Sequence, residues 1–305
     1  MRKTRGLIAA FALTLAAGIT STGAADAAPH GSGGAGGRLL YIDLTGSTNG
    51  VGALKSSTPS GQGVQDFGRQ LPWYSSPSYS PDGTRIAFVG GDIGFSVMVM
   101  NADGTGDQWL IDGPSVPSYP RWAPDGQSVA YQFDGIGRIG LDGSRSTLSP
   151  SEDNDLAASW SPSGTRLATA SPRDIETPWP DDSTGKIRIR SGDGQVVRRT
   201  IPLPGAVRVA WSPDGRQIAA EARGDLYLIN PNTGSVRQVT ATPDVQESDP
   251  TWSPDGTKLA YAVEPGSSSD TGPTAASKIW TMDRGGRHQH STGINGVPTS
   301  WKAAD

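Results

Sequence analysis

The stretch Tyr79-Ser80-Pro81-Asp82-Gly83-Thr84-Arg85-Ile86-Ala87-Phe88 combines a tight-turn signal with the start of an apolar strand. Proline presets φ at the first central position of a turn, aspartate accepts hydrogen bonds from nearby backbone N–H groups, and glycine tolerates the left-handed conformation that follows. Ile86-Ala87-Phe88 is apolar on both faces of a strand, so other parts of the protein must cover both faces. The stretch therefore predicts two antiparallel strands joined by the Pro-Asp-Gly turn.

The same pattern returns along the chain, as in Trp211-Ser212-Pro213-Asp214-Gly215. The aromatic positions of the five clear copies are Tyr79, Trp122, Trp160, Trp211 and Trp252, spaced 43, 38, 51 and 41 residues apart. A sixth, partial copy, Thr299-Ser300-Trp301, follows 49 residues later. Each copy has room for a third strand and, after a Gly-rich turn, a fourth. The predicted third strands include Ser96–Met100, Lys186–Arg190, Gly224–Ile229 and Lys278–Met282. Four strands per repeat of this length are typical of a β-propeller blade.

The two ends of the repeat array predict how the ring closes. The partial C-terminal copy supplies a first strand, Pro298–Lys302, and Arg38–Leu44 resembles a second strand with no repeat signal before it. Pairing the two in one blade would complete a ring and remove exposed sheet edges. The sequence thus predicts an all-β, six-bladed β-propeller over residues 38–305, with four antiparallel strands per blade.

The composition excludes or disfavours several classes of protein, site and partner. The 305 residues include 41 Gly and 24 Pro, which disfavours a helical bundle, and no Cys, which excludes disulfides, zinc-thiolate sites and thiol nucleophiles. The formal net charge of −4 disfavours nucleic acid as a partner.

The N-terminus resembles a targeting segment. Residues 1–27 begin with basic residues, continue with an apolar run from Leu7 to Ile19, and end on Ala25-Asp26-Ala27, a signal-peptidase pattern. We expect cleavage near Ala27, a flexible Gly-rich lead-in over residues 28–37, and a secreted or cell-envelope location. The alternative is a retained membrane anchor, which the short apolar run disfavours. The mature protein is expected to be monomeric and not an integral membrane protein.

The Trp-Ser-Pro-Asp-Gly unit followed by an Ile/Leu-Ala-Tyr/Phe strand resembles the WD-like Pro-Asp repeat of TolB-type propellers. The resemblance covers nearly the whole predicted mature chain and implies the propeller fold. It is less specific for function, because such propellers include envelope scaffolds, propellers attached to peptidases, and some lyases. We expect neither the α/β domain of TolB itself nor a hydrolase domain here.

Few residues suggest catalysis or metal binding. A serine hydrolase needs a histidine base, and the sequence has only His30, His288 and His290. His288 and His290 would share one face of a strand and could hold a metal, although an exposed outer strand is the expected location. Asp153 and Asp155 could contribute to a Ca²⁺ site, without a recognisable calcium loop to support it. We expect no catalytic residue and no cofactor, with Ca²⁺ as the alternative.

One face of the predicted propeller collects acidic loops. The connections between blades and the loops between second and third strands open on the same side. That side would gather Glu152, Asp153, Asp155, Gln246, Glu247 and Asp249, with Tyr74, Tyr119, Arg208 and Asn295. The candidates for partner binding are Asp153, Asp155, Trp179, Asp181, Asp182, Arg208, Glu247 and Asp249. Trp179, flanked by two prolines, would be a rigid aromatic anchor. The alternative is that these are solvated loop residues.

Two functions remain open on this basis. The first is a non-catalytic scaffold that binds a protein or peptide through the acidic, loop-rich face. The second, suggested by the resemblance, is a metal-assisted enzyme acting on a carbohydrate or lactone at the central channel. A purely structural assembly module would look the same as the first in sequence.

Overall fold

The computed structural model describes residues 36–90, 96–111, 117–172, 184–266 and 273–304. These residues form 24 β-strands and two 3-10 helices of three residues each, Trp73–Ser75 and Ser151–Asp153. No helix in the described part of the chain has the length and apolar character that crossing a lipid bilayer requires. The predicted all-β class is confirmed.

The strands form six four-stranded antiparallel sheets arranged as a ring, so the predicted six-bladed β-propeller is confirmed. From the channel outward, blade 1 contains β24 (Val297–Lys302), β1 (Arg38–Asp43), β2 (Val51–Ser57) and β3 (Gln65–Pro72), and blade 2 contains β4 (Ser78–Tyr79), β5 (Arg85–Gly90), β6 (Ser96–Asn101) and β7 (Gln108–Trp109). Blade 3 contains β8 (Ser118–Trp122), β9 (Ser128–Gln132), β10 (Ile136–Gly140) and β11 (Arg145–Ser149), and blade 4 contains β12 (Ala157–Trp160), β13 (Arg166–Ser171), β14 (Lys186–Ser191) and β15 (Val197–Pro202). Blade 5 contains β16 (Ala206–Trp211), β17 (Ile218–Ala222), β18 (Asp225–Ile229) and β19 (Val236–Gln238), and blade 6 contains β20 (Val245–Trp252), β21 (Lys258–Pro265), β22 (Lys278–Asp283) and β23 (His290–Asn295).

Strand β24 closes the ring. It pairs antiparallel with β1, from Lys302 opposite Arg38 to Val297 opposite Ile42. Its Trp301 and Val297 side chains are buried, and Thr299 donates a hydrogen bond to the Leu40 carbonyl. The first strands of neighbouring blades also contact one another, which places them around the channel. The predicted closure within one blade is therefore confirmed.

The Ser-Pro-Asp-Gly turns are held by their own side chains. Ser80 Oγ donates to Asp82 Oδ1 at 2.5 Å and accepts from the Arg85 N–H at 2.9 Å, while Gly83 has a left-handed φ of +71°. The Ser80 hydrogen bond is the main reason that the pKa of Asp82 is lowered to about 2. The same serine–aspartate bond recurs at 2.7 Å in blade 5 and 2.6 Å in blade 6. The turn aspartates therefore have the structural role that the sequence predicted.

The repeat aromatics pack between neighbouring blades. The five tryptophans at this position are only 6–8% exposed: Trp122, Trp160, Trp211, Trp252 and Trp301. At three junctions a basic side chain of one blade covers the aromatic ring of the next. These pairs are Arg85 on Trp122 (4.9 Å), Arg166 on Trp211 (4.9 Å) and Lys302 on Tyr79 (5.7 Å). The blades are therefore joined by buried area together with cation–π contacts.

Candidate functional site

One position of the repeat, three residues before the aromatic, carries Tyr119 in blade 3, Arg208 in blade 5 and Asp249 in blade 6. The inner strands run from the loop-rich face to the Pro-Asp-Gly turns, and these residues lie nearer the loop-rich end. The Arg208 guanidinium donates a hydrogen bond to the Tyr119 hydroxyl. Because blade 4 separates blades 3 and 5, this contact crosses the central channel. The three side chains thus meet at the loop-rich mouth of the channel.

Arg208 is the centre of this group. Its Nε lies 3.3 Å from Asp249 Oδ1, and its Cζ lies 3.7 Å from the Tyr119 ring centroid. Trp73, from the connection between blades 1 and 2, has its ring centroid 5.8 Å from the same carbon atom. A planar guanidinium can stack on aromatic rings and pair with a carboxylate at once. We refer to Trp73, Tyr119, Arg208, Glu221 and Asp249 as the channel-mouth cluster.

Two residues of the cluster, Tyr119 and Asp249, have an unusual backbone conformation. Tyr119 and Asp249 have left-handed φ values of 53° and 50°, and Ser76 at the same repeat position has 37°. The pairing registers of β8 with β9 and of β20 with β21 shift at these points. Left-handed backbone at a non-glycine residue costs about 1–3 kcal/mol, and such irregularities re-aim side chains near functional sites. The left-handed backbone therefore recurs at this repeat position in three blades, and in two of them it places a side chain in the channel-mouth cluster.

Glu221, on β17, adds a second carboxylate to the cluster. Its Oε2 accepts a hydrogen bond from the Asp249 N–H at 3.0 Å. Burial and, to a lesser extent, the negative charge of Asp249 together raise the pKa of Glu221 to about 7, against the opposing charge of Arg208. The other complete repeats have Val89, Gln132, Ala170 and Ala262 at this position. A carboxylate at this position of a second strand was a sequence signal for the site that our interpretation missed.

Replacing Glu221 with glutamine should remove a pH dependence of stability. Because its pKa is raised in the folded protein, the contribution of Glu221 to stability is fully present below the unfolded pKa of about 4.5 and is lost as the pH rises through about 7. We expect the free energy of unfolding of the wild type to fall by about 1–3 kcal/mol relative to Glu221→Gln over this range. Urea titrations of both proteins at several pH values measure the difference. Parallel pH curves would contradict the prediction.

Arg121 lies on the same inner strand as Tyr119. It donates to the carbonyl oxygen and to the hydroxyl of Ser76, both at 2.9 Å. Burial lowers the pKa of Arg121 to about 10, so it remains charged at neutral pH. Arg121 Nη1 also donates to the Pro120 carbonyl oxygen at 3.0 Å, and the charge of Asp249 partly opposes the lowering of the Arg121 pKa. The channel mouth therefore presents basic as well as acidic groups.

Asp153 and Asp155 are held in an internal ion-pair cluster. Asp155 is fully buried, and its Oδ1 lies 2.6 Å from Arg188 Nη1 while its Oδ2 accepts from Ser149 Oγ at 2.5 Å. Arg190 also contacts both carboxylates, at 3.2 Å from Asp155 Oδ2. The carboxylate of Asp155 is thus engaged inside the protein. Asp153 keeps 28% of its side chain exposed.

Glu247 is also buried, with 2% of its surface exposed. Burial raises its pKa, which hydrogen bonds with Thr242 and Thr240 partly offset. Within the described residues, Glu247 Oε2 has no hydrogen-bond partner. These features favour the neutral acid, packed between blades rather than presented on a surface. Of the predicted partner-binding residues, Arg208 and Asp249 are the two that the structure brings together at the channel mouth.

The remaining candidates are separate from this cluster. Trp179, Asp181 and Asp182 lie outside the described residues. His288 is 82% exposed and its Nδ1 lies 3.0 Å from Asp283 Oδ2, while His290 at the start of the outer strand β23 lies 3.0 Å from Thr281 Oγ1. In the described part of the chain, no group of three or more His, Cys, Asp or Glu side chains is arranged to hold a metal ion. Metal binding at these residues or at Asp153 and Asp155, including Ca²⁺, stays a hypothesis.

Several solved structures have an architecture similar to that of this chain. TolB from Acinetobacter baumannii matches with a TM-score of 0.66 at 20% sequence identity, over 87% of this chain and 66% of that chain. The fold of this propeller is therefore similar to that of TolB. A structure of the nidogen/laminin complex matches with a TM-score of 0.62 at 14% identity, over 88% of this chain and 99% of that chain. An oligogalacturonate lyase in complex with manganese matches with a TM-score of 0.51 at 17% identity, over 84% and 73%. At these identities the similarity of this chain to each structure concerns the fold alone.

Sequence comparison adds one relative. The uncharacterized peptidase YuxL of Bacillus subtilis (strain 168) is 25% identical over an alignment of 210 residues, which covers 62% of this chain and 29% of YuxL. The matched segment therefore spans less than a third of that relative. No family model matches the chain.

Proposed function

We propose that this chain is a secreted or envelope-associated binding scaffold that takes a protein or peptide segment at the mouth of its channel. The channel-mouth cluster carries this proposal, because it joins residues from three blades and a blade connection around Arg208. Tryptophan, tyrosine and arginine are the residues most often found at the energetic centres of protein interfaces. The rigid ring of blades holds them in place without cost on binding.

The electrostatics of the cluster also suit a polypeptide. Asp249 and the partly titrating Glu221 can accept hydrogen bonds from a ligand, while Arg121 can donate them to a carboxylate or carbonyl group. The partly buried ring of Trp73 supplies apolar contact area beside these groups. The expected partner segment therefore carries both polar groups and an apolar or aromatic side chain.

Replacing Trp73 with alanine should greatly weaken partner capture. We expect the amount recovered from envelope and culture-supernatant extracts to fall about tenfold or more, since a hot-spot tryptophan contributes roughly 2 kcal/mol or more. The measurement is a pull-down with the purified protein as bait, quantified by mass spectrometry. Trp109→Ala is the matched control, because Trp109 is 44% exposed on the outer strand β7, away from the channel.

The two variants decide the proposal together. Equal loss of partner in both variants, or no loss with Trp73→Ala, would remove the channel mouth as the binding site. Thermal unfolding of each bait shows that the ring is intact before the comparison is made. The proposed extracytoplasmic location, which rests on the predicted signal peptide, is checked separately by the fraction of protein recovered from the supernatant and envelope.

A further inference from the structure

A groove of about 720 Å³ lies between blades 3 and 4 on the face of the Pro-Asp-Gly turns. This face is opposite the channel mouth, because the turns follow the far ends of the inner strands. Trp160 lines the groove, together with Pro124, Pro162, Asp125, Arg138 and Asp193. It therefore combines an aromatic ring with charged side chains.

Blade 3 lacks the arginine that covers the tryptophan of the next blade at two other junctions. Arg85 and Arg166 stand six residues after their repeat aromatics, and each guanidinium carbon lies 4.9 Å from the tryptophan ring of the next blade. Blade 3 has Ser128 at this position. The serine is too short to reach Trp160, and its buried hydroxyl instead accepts a hydrogen bond from Arg138 Nε at 2.7 Å. Among the described side chains, none places a cation over Trp160.

The neighbouring junctions show which group fits such a position. Arg85 not only stacks on Trp122 but also donates from Nη2 to the Gly126 carbonyl of the next blade at 3.1 Å. Gly164 is the counterpart of Gly126 in blade 4, and it lines the groove. A guanidinium entering the groove would therefore meet a ring and a turn like those at the blade 2–blade 3 junction.

The charges at the rim favour a cation as well. Asp125 and Asp193 supply two carboxylates against the single guanidinium of Arg138, which lies 3.6 Å from Asp125 Oδ2. Asp193 Oδ1 is engaged by Ser191 Oγ at 2.5 Å, and no hydrogen bond to Asp193 Oδ2 is formed within the described residues. The side chains that line the groove thus carry a net negative charge, and Asp193 Oδ2 is an acceptor available to a ligand.

We propose that this groove binds an arginine side chain presented by a protein partner. The guanidinium stacks on Trp160 in the place that Arg85 and Arg166 occupy at their own junctions, and it pairs with Asp193 at the rim. The site is independent of the channel mouth and would give the scaffold a second contact on its other face.

The test uses the whole ¹⁵N-labelled protein and two short peptides. The probes are acetyl-Gly-Arg-Gly-amide and the same peptide with citrulline, which keeps the shape of arginine but lacks its charge. We expect a saturable shift of the Trp160 indole N–H resonance with the arginine peptide and at least about fivefold weaker binding of the citrulline peptide, as a cation–π contact requires. Equal binding of both peptides, or no saturable shift, would overturn the proposal.

Two variants locate the site. Ser128→Arg fills the groove from within the chain and should abolish the shift. Asp193→Asn should weaken binding about threefold through the lost ion pair, while Asp103→Asn, an exposed turn aspartate of blade 2, should leave it unchanged. Should Ser128→Arg fail to fold, Asp193→Asn still decides. Unchanged affinity in Asp193→Asn, or in a folded Ser128→Arg, would show that the arginine peptide binds elsewhere.

Discussion

A chain that ends at Gly296 should lose its cooperative unfolding transition. Deletion of residues 297–305 removes β24, the inner strand of blade 1, with its ladder to β1 and its buried Val297 and Trp301. Loss of one buried tryptophan side chain alone costs about 3–5 kcal/mol, which is comparable with the whole stability of many domains at about 5–15 kcal/mol. It also exposes the edge of β1, which favours association between chains. Thermal unfolding followed by circular dichroism, with gel filtration, measures both effects.

Two controls separate ring closure from simple truncation. A chain ending at Lys302 loses only residues 303–305, of which Ala303 and Ala304 are exposed, and should unfold like the wild type. Adding a synthetic peptide of residues 297–305 to the shortened chain should restore a cooperative transition, since the peptide can occupy the vacant strand position. If the shortened chain unfolds within about 1 kcal/mol of the wild type, ring closure contributes little.

Replacing Asp155 with asparagine should lower the free energy of unfolding by about 3–5 kcal/mol. The substitution keeps the size of the side chain but removes the charge that faces Arg188 and Arg190, whose side chains are only 10% and 3% exposed. Two guanidinium groups would then share only Asp153, so positive charge would be left without compensation inside the protein. Urea unfolding followed by tryptophan fluorescence gives the difference.

The matched control for this prediction is a surface ion pair. Asp66 is 54% exposed and lies 3.9 Å from Lys55, so Asp66→Asn should change stability by less than about 0.5 kcal/mol. Similar effects of the two substitutions would mean that burial does not strengthen the Asp155 pairs. Such a result would also return Asp155 to the candidates for partner binding.

The repeat predicted the fold well because its signals are local. Each Ser-Pro-Asp-Gly turn is stabilised by atoms within five residues of one another, as in Ser80 and Arg85, and the strand after it is apolar on both faces. The third strands begin within one residue of their predicted starts, and β24 pairs with β1 as expected. The structural comparison supports a fold similar to that of TolB. The resemblance of the repeat to the WD-like Pro-Asp motif stays a prediction from the sequence.

The candidate sites were only partly predictable, because their contacts join residues that are far apart in the sequence. Arg208 and Asp249 were found because they lie on the loop-rich face, but Trp73, Arg121 and Glu221 were missed. The partners in these contacts are far apart in sequence: Tyr119 and Arg208 are separated by 89 residues. The sequence indicated that Asp153 and Asp155 are loop residues available to a partner or a metal ion. In the structure, β14 instead places Arg188 and Arg190 against them.

Local chemistry, repeated six times, was therefore enough to define the turns, the strands, the number of blades and the way the ring closes. Contacts between different blades determine which side chains meet across the channel and which carboxylates are neutralised by buried arginines. They also determine where Ser128 leaves a tryptophan without a cation over its ring. These contacts follow from the rotation of each blade about the channel axis, and no spacing along the chain records that rotation.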